Sequence, residues 1–334
     1  MRRRSFLKLG TAGIAGTLAA GSGLISWIPR AQASVTNTLY ITDGLNTQPD
    51  GTDLYFRGFS RSATGLDVPG PQLICQQGDA VTVTVVNTLN TTHSFVIDGF
   101  ADSGPIGPGQ QATVQFTPGE GAEGSYLYYD ASNAPYNRLL GLHGGLAVMP
   151  AGSGTELYPG SPTFVQQYFW VFNDIDPVWH TALHDGTTPT TPFKPRYFTV
   201  NGLSSRPPGA PGNGDPTVDA MADPRTVLVG SIGDRALVRL FNAGHCTHGM
   251  HVHANHMEWL TYNGKRRQNI WKKDILRLDR DMGQVDAIYP FEVPPDSYPP
   301  ATTGTYPMHL HDEMTQTAGG GLYLFGAMGE IHFQ

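Results

Sequence analysis

The chain has 334 residues, with 21 Lys and Arg against 28 Asp and Glu, for a formal net charge of −7. Gly (41) and Pro (26) make up a fifth of it and oppose long helices, while 10% aromatics supply a core and exclude general disorder. An acidic balance with no basic cluster standing out gives a nucleic-acid backbone nothing to hold; two cysteines cannot build a disulfide scaffold; the length suits two domains of about 150 residues.

In chain order, residues 1–33 read as an export signal. Arg3-Arg4-Ser5-Phe6-Leu7-Lys8 is a twin-arginine pattern, a Gly/Ala/Leu stretch runs from Leu9 to Ile28, and Ala31-Gln32-Ala33 is an A-x-A cleavage site. The apolar stretch is too glycine-rich for a membrane span, and no later stretch can cross a bilayer, so the expected product is soluble and periplasmic or otherwise exported. Without residues 1–33 the chain keeps 16 positive and 28 negative residues, a net of −12.

Strand-like alternation dominates the chain after residue 33, as in Ala80 to Val86 (AVTVTVV) and Ala236 to Phe241 (ALVRLF). The two strands share a context at an offset of 155 residues: Gly78-Asp79 with Gly233-Asp234, Asn87 with Asn242, Thr92-His93 with Thr247-His248. Later, Ser125-Tyr126-Leu127-Tyr128 lines up with Thr305-Tyr306-Pro307-Met308, each followed by a glycine-rich return strand, at 142–149 and 319–328. A repeat of this size is a domain duplication, and short strands separated by turn signals predict an all-β protein of two β-sandwiches. Expected boundaries are domain 1 at 34–151, a Gly/Ser/Pro linker at 152–162 and domain 2 at 163–334, with a long Pro/Gly-rich loop at 204–223.

Histidines concentrate in the second domain: His248, His251, His253 and His256 within nine residues, then His309 and His311. His251-Val252-His253 and His309-Leu310-His311 are both H-x-H. On a strand, residues i and i+2 share a face, so two adjacent strands of this kind aim four imidazoles at one point. Imidazole suits Cu, Zn, Fe and Ni, and tetrahedral histidine sites suit zinc well. Cys75 and Cys246 read as buried thiols or a disulfide pair, with alternation placing Cys246 and His248 on one face. His180 and His184 read as loop residues among prolines, His143 as a turn residue, and Met250, Met257, Met308 and Met314 as packing near the histidines. No G-x-S-x-G, phosphate loop or dinucleotide fingerprint is present.

His248-Gly249-Met250-His251-Val252-His253 resembles the H-x-x-H-x-H segment of multicopper oxidases, and Tyr306-Pro307-Met308-His309-Leu310-His311 resembles their H-C-H segment; Gly78-Asp79 and Pro108-Gly109-Gln110 are similar to features of their cupredoxin domains. The resemblance covers the chain after residue 33 and is nearest to the two-domain, small-laccase-like members. It implies two tandem cupredoxin-like Greek-key domains, copper as cofactor with zinc as the alternative, an oxygen-type or small-molecule substrate, and a homotrimer in which one subunit's first domain faces its neighbour's second. By position, His251, His253, His309 and His311 fall at cluster ligands, and His248 and His93 at type 1 copper histidines. The chain departs from the pattern in its thiolates and in its first domain. Leu310 stands where the type 1 cysteine belongs, and Val96, Asp98 and Tyr129-Asp130-Ala131 replace the histidines of domain 1. In a trimer Asp98 and Tyr129 would face the neighbour's four histidines as ligand or supporting groups. The residues leave three readings open: a copper oxidoreductase with a histidine-only centre and no blue copper, a copper-holding protein without turnover, and a copper-free cell-envelope scaffold.

Overall fold

The computed structural model describes residues 23–25, 27, 31–48, 51–204, 220–295, 297, 300–312, 315 and 326–334. The twin-arginine motif, the leader's apolar stretch before residue 23, Met314, most of the 204–223 loop and the start of the second return strand lie outside them.

Four sheets form two face-to-face sandwiches. In the first half, Asp53–Ser60, Ser34–Thr47, Ala80–Asn87 and Gln111–Phe116 lie side by side in that order. The facing sheet runs Gly70–Gln76, His143–Met149, Gly124–Tyr129, Val96–Ile97 and Ala101–Asp102. Val81, Val83 and Val85 alternate inward and are buried, as their period-two spacing requires.

The second half repeats the plan. Gln166–Ile175 runs parallel to Arg235–Asn242 as Ser34–Thr47 does to Ala80–Asn87, and Leu228–Gly230 runs parallel to Met328–Phe333 as Gly70–Gln76 does to His143–Met149. The likeness reaches single residues: Gly124 (φ 151°) and Gly304 (φ 154°) open corresponding strands in a conformation open to glycine, each beneath a tyrosine ring, Tyr126 and Tyr306. One sheet ends in the hairpin Met257–Tyr262/Lys265–Lys273; the other is ordered Leu228–Gly230, Met328–Phe333, Gly304–Leu310, His248–Val252, Ile275–Leu278.

Each half has its own core, around Phe59, Phe95 and Tyr128 in the first and Trp170, Phe198 and Tyr289 in the second. A further buried cluster, with Leu127 and Met149 against Phe169, Leu237 and Phe241, joins them. Arg239 is fully buried at this junction. It donates to Gly124 O (3.1 Å) and Ser125 Oγ (2.7 Å) of the first half and to Gln167 Oε1 (2.9 Å) of the second; Ser125 in turn donates to buried Asp286.

Three expectations change. Residues 177–184 form a helix, because Asp176 caps it (Oδ1 accepts from Val178 N and Trp179 N) and Pro177 sits in the first turn, where its missing N–H costs nothing. His143 begins a strand rather than a turn and is buried. Residues 244–246 bend, so alternation does not place Cys246, and Cys75 and Cys246 form no disulfide. Upstream of the sandwiches, Leu24 and Ile25 pair antiparallel with Tyr168 and Gln167, Phe169 N donates to Gly23 O (2.9 Å), and Trp27 packs on the shared core.

Candidate metal centre

The strand His248–Val252 lies between Ile275–Leu278 and Gly304–Leu310. Its register puts His251 directly opposite His309 and Val252 opposite Met308, while His253 N donates to Pro307 O (3.2 Å). Alternation does the rest: Met250, Met308 and Leu310 point into the core, and the histidines between them point out together.

One ligand atom each from His251, His253 and His309 lies within 4.8 Å of the others. His253 Nε2 and His309 Nε2 are 3.2 Å apart. The Nδ1 atoms are turned away: that of His251 lies 3.1 Å from Asp274 O and that of His309 3.1 Å from Leu310 O. A carbonyl can only accept, so both rings carry their proton on Nδ1 and keep Nε2 as the acceptor, in His309 toward His253, the tautomer a metal ligand needs. Burial pushes the His253 imidazolium down to about 4, helped by His251, His309 and His311, and burial also lowers His309. Above pH 5 His253 is therefore neutral and able to coordinate. His311 is exposed on the rim, its ring stacked 5.8 Å from that of His309 and edge-on to His251 at 5.3 Å. The donor set thus fits a soft-to-borderline cation: three converging imidazoles and a fourth within a side-chain swing.

His248 is not part of this group. Buried on the opposite face, it has Nε2 2.7 Å from Asp174 Oδ1 and Nδ1 3.2 Å from Asp312 Oδ2. Burial disfavours its charge, but the two carboxylates outweigh burial and raise its pKa to about 9. Both nitrogens of this imidazolium donate, leaving no lone pair for a metal. Asp174 also accepts from His245 N (2.7 Å) and Cys246 N (2.6 Å) and so ties down the bend before the histidine strand. Burial and Asp174 push the Cys246 thiol up to about 12.

His93, the matching residue of the first half, is equally occupied: Nδ1 lies 2.7 Å from Asp130 Oδ2 and Nε2 2.8 Å from Thr91 Oγ1. Asp130 further accepts from Ser94 and Asn137. Asp98 and Tyr129 sit together on the first half, the phenol donating to Asp98 Oδ1 at 3.0 Å; partial burial and this carboxylate raise the phenol to about 12. Within one chain neither belongs to the three-histidine group.

Three of the remaining histidines have structural partners. His180 Nδ1 meets Tyr55 O (2.6 Å), His143 Nδ1 meets Arg138 O (2.8 Å), and His332 pairs with Glu330; His256 is exposed. Met250, Met257 and Met308 are core residues. A cavity of 340 Å³ lies elsewhere, between Arg61 and Gly145 of the first half and Phe169 and Arg225 of the second. Sequence reasoning does not single out Asp174, Asp274 or Asp312. The run Asn173-Asp174-Ile175-Asp176, polar residues inside an aromatic strand, is the available signal, since a carboxylate is buried only when paired.

Comparison with known proteins bears on the fold and on the first half of the chain. Residues 62–153 match the family described as multicopper oxidase. A copper-containing nitrite reductase of Alcaligenes xylosoxydans xylosoxydans is 30% identical over 111 residues, 30% of this chain and 32% of its own length. The multicopper oxidase mco of Staphylococcus aureus is 34% identical over 121 residues, 32% of this chain and 27% of its own. These matches span a third or less of either relative. Among solved structures, the blue copper oxidase from Nitrosomonas europaea has a TM-score of 0.70 at 20% identity, over 90% of this chain and 86% of its own. The copper nitrite reductase from the same organism has a TM-score of 0.65 at 19% identity, over 90% and 94%. At such identities the likeness is one of fold. Residues 62–153 thus resemble the multicopper oxidases, and the chain as a whole has the fold of two tandem cupredoxin-like β-sandwiches.

Proposed function

We propose that this is an exported copper protein with a histidine-only centre, acting as an oxidoreductase without a blue copper. The observation that carries the reading is the convergence of His251, His253 and His309 with both flanking Nδ1 atoms held on carbonyls. Copper is favoured over zinc by the names of the relatives, and imidazole suits it. When bound, copper supplies one-electron chemistry toward a small oxygen-type ligand at an open position. The chain's own part is to hold three converging imidazoles, two of them with Nδ1 tied to a backbone carbonyl, with His311 as a fourth donor at the rim.

A homotrimer, in which Asp98 and Tyr129 of one copy face the histidines of the next, extends this reading. Asp98 then supplies a carboxylate and Tyr129 a phenol that stays protonated at neutral pH. Light scattering at micromolar concentration tests it, and a monomer refutes it.

A non-catalytic copper holder is the second reading. It is favoured by Leu310, an apolar core residue at the position where the resemblance expects an electron-transferring thiolate. Metal content per chain on protein purified from its export compartment, with electron paramagnetic resonance on the same sample, tests both readings. Near-stoichiometric copper with a type 2 signal and no blue band supports the centre; turnover of an oxygen-type substrate then separates enzyme from holder. No copper, and none after reconstitution, refutes both and leaves the envelope scaffold.

A further inference from the structure

The hairpin strand Lys265–Lys273 reads Lys-Arg-Arg-Gln-Asn-Ile-Trp-Lys-Lys and is the outermost strand of its sheet. Five of its nine residues are cations, in a chain whose charge is otherwise acidic. Arg266 pairs with Glu123 and lies over the Tyr158 ring, and Lys272 pairs with Glu292 at 3.4 Å. Lys265, Arg267 and Lys273 have no carboxylate partner among the described residues. Arg267 sits 4.0 Å over the Trp259 ring and 5.7 Å from that of Trp271, and Lys273 lies 5.6 Å from Trp271.

Lysines on an edge strand keep other strands from pairing with it, and that accounts for the cations. It does not account for the middle. Ile270 is 42% and Trp271 52% exposed, with Ile275 and Val293 nearby at 39% and 40%. An edge defended by charge alone has no use for exposed isoleucine and tryptophan at its centre.

Pairing with Met257–Tyr262 breaks register between Trp271, opposite Trp259, and Arg266, opposite Thr261, so Ile270 and Trp271 stand exposed at an irregular stretch of the edge, bracketed along the chain by Arg266-Arg267 and Lys272-Lys273. A rigid strand or sheet cannot pair flush along an edge whose register breaks there. A fluid interface into which the edge dips meets all of it: tryptophan at the headgroup boundary, aliphatic groups just below, basic side chains reaching back to phosphates.

We propose that this edge is a contact site for an anionic phospholipid surface. The strand runs into Asp274, whose carbonyl holds His251, so docking would bring the histidine group near the bilayer.

The test is co-sedimentation of the full chain with phosphatidylcholine vesicles, with and without phosphatidylglycerol. Expected are binding only to the anionic vesicles and release by high salt. Lys265→Glu with Lys272→Glu should weaken it by about thirtyfold or more, the loss of two cation–headgroup contacts. Ile270→Ser with Trp271→Ser should weaken it by about tenfold at unchanged net charge. All four side chains are exposed, and circular dichroism with copper uptake checks that each variant folds. Absence of binding to anionic vesicles at low salt, or equal binding by wild type and both variants, overturns the proposal. So does retention on heparin without vesicle binding, which would assign the cations to a soluble polyanion.

Discussion

His248 shows how a side chain of one family role can be held in another. Placed between Asp174 and Asp312, it is an imidazolium with both donors used. Its pKa is about 9 in the folded chain against 6.5 unfolded, so its stabilisation is complete below pH 6.5 and fades as pH rises through 9. Replacing His248 by glutamine should cost about 3 kcal/mol at pH 6, and the gap to wild type should close by pH 9; urea unfolding at the two pH values measures it. The neighbouring histidines proposed to hold copper face outward instead. His251→Ala with His309→Ala should abolish copper uptake while leaving the fold, because His251 is partly exposed and the rings face outward; an unchanged metal content would refute the centre. Both H-x-H pairs are legible in sequence because period two is a local property of strands. The partners of His248 are not, since Asp174 is 74 residues upstream and only sheet pairing brings it near.

At the scale of elements, duplication is readable in the offsets of Gly78, Asn87 and His93 to Gly233, Asn242 and His248, and the matching parallel pairings express it in three dimensions. The helix Pro177–His184 is not legible in the same way, because proline signals a break inside a helix yet is tolerated at its first position. Asp176 carries that helix: Oδ1 caps its first turn and Oδ2 accepts from Lys194 N at 2.8 Å. Asp176→Ala should destabilise the protein by about 1–2 kcal/mol, seen as a lower denaturation midpoint with no change in copper content. The basic strand is legible as the run Lys265 to Lys273, which corrects the expectation that no basic cluster stands out; the acidic whole-chain balance masks it, and the sheet edge shows that the run is exposed.

For the whole molecule, the junction between the halves is held partly by charge. Arg239 spans it from a fully buried position, and burial lowers its pKa to about 10 while Asp286 supports the cation. Arg239→Ala leaves Asp286 without its cation and should cost about 3–5 kcal/mol, with calorimetry resolving separate transitions for the two halves where wild type shows one. The halves also share an acid weakness. His143 and His180 are buried, and burial lowers both to about 4, so stability falls as pH drops from 6.5 through 4. Near pH 5 unfolding should take up about two protons at these residues, readable as the slope of stability against pH.

The short strand Leu24–Ile25 adds a constraint on maturation. It lies upstream of Ala31-Gln32-Ala33, yet it is hydrogen-bonded to Gln167 and Tyr168, with Trp27 on the core shared by the halves. If residues 1–33 are the export leader proposed above, a precursor that folds before translocation builds part of that leader into a sheet. Cutting after Ala33 would then free that edge strand only once it peels away, and a chain beginning at Ser34 should melt at a lower temperature than the full chain. Maturation would then be paced by local unfolding of the substrate rather than by the peptidase.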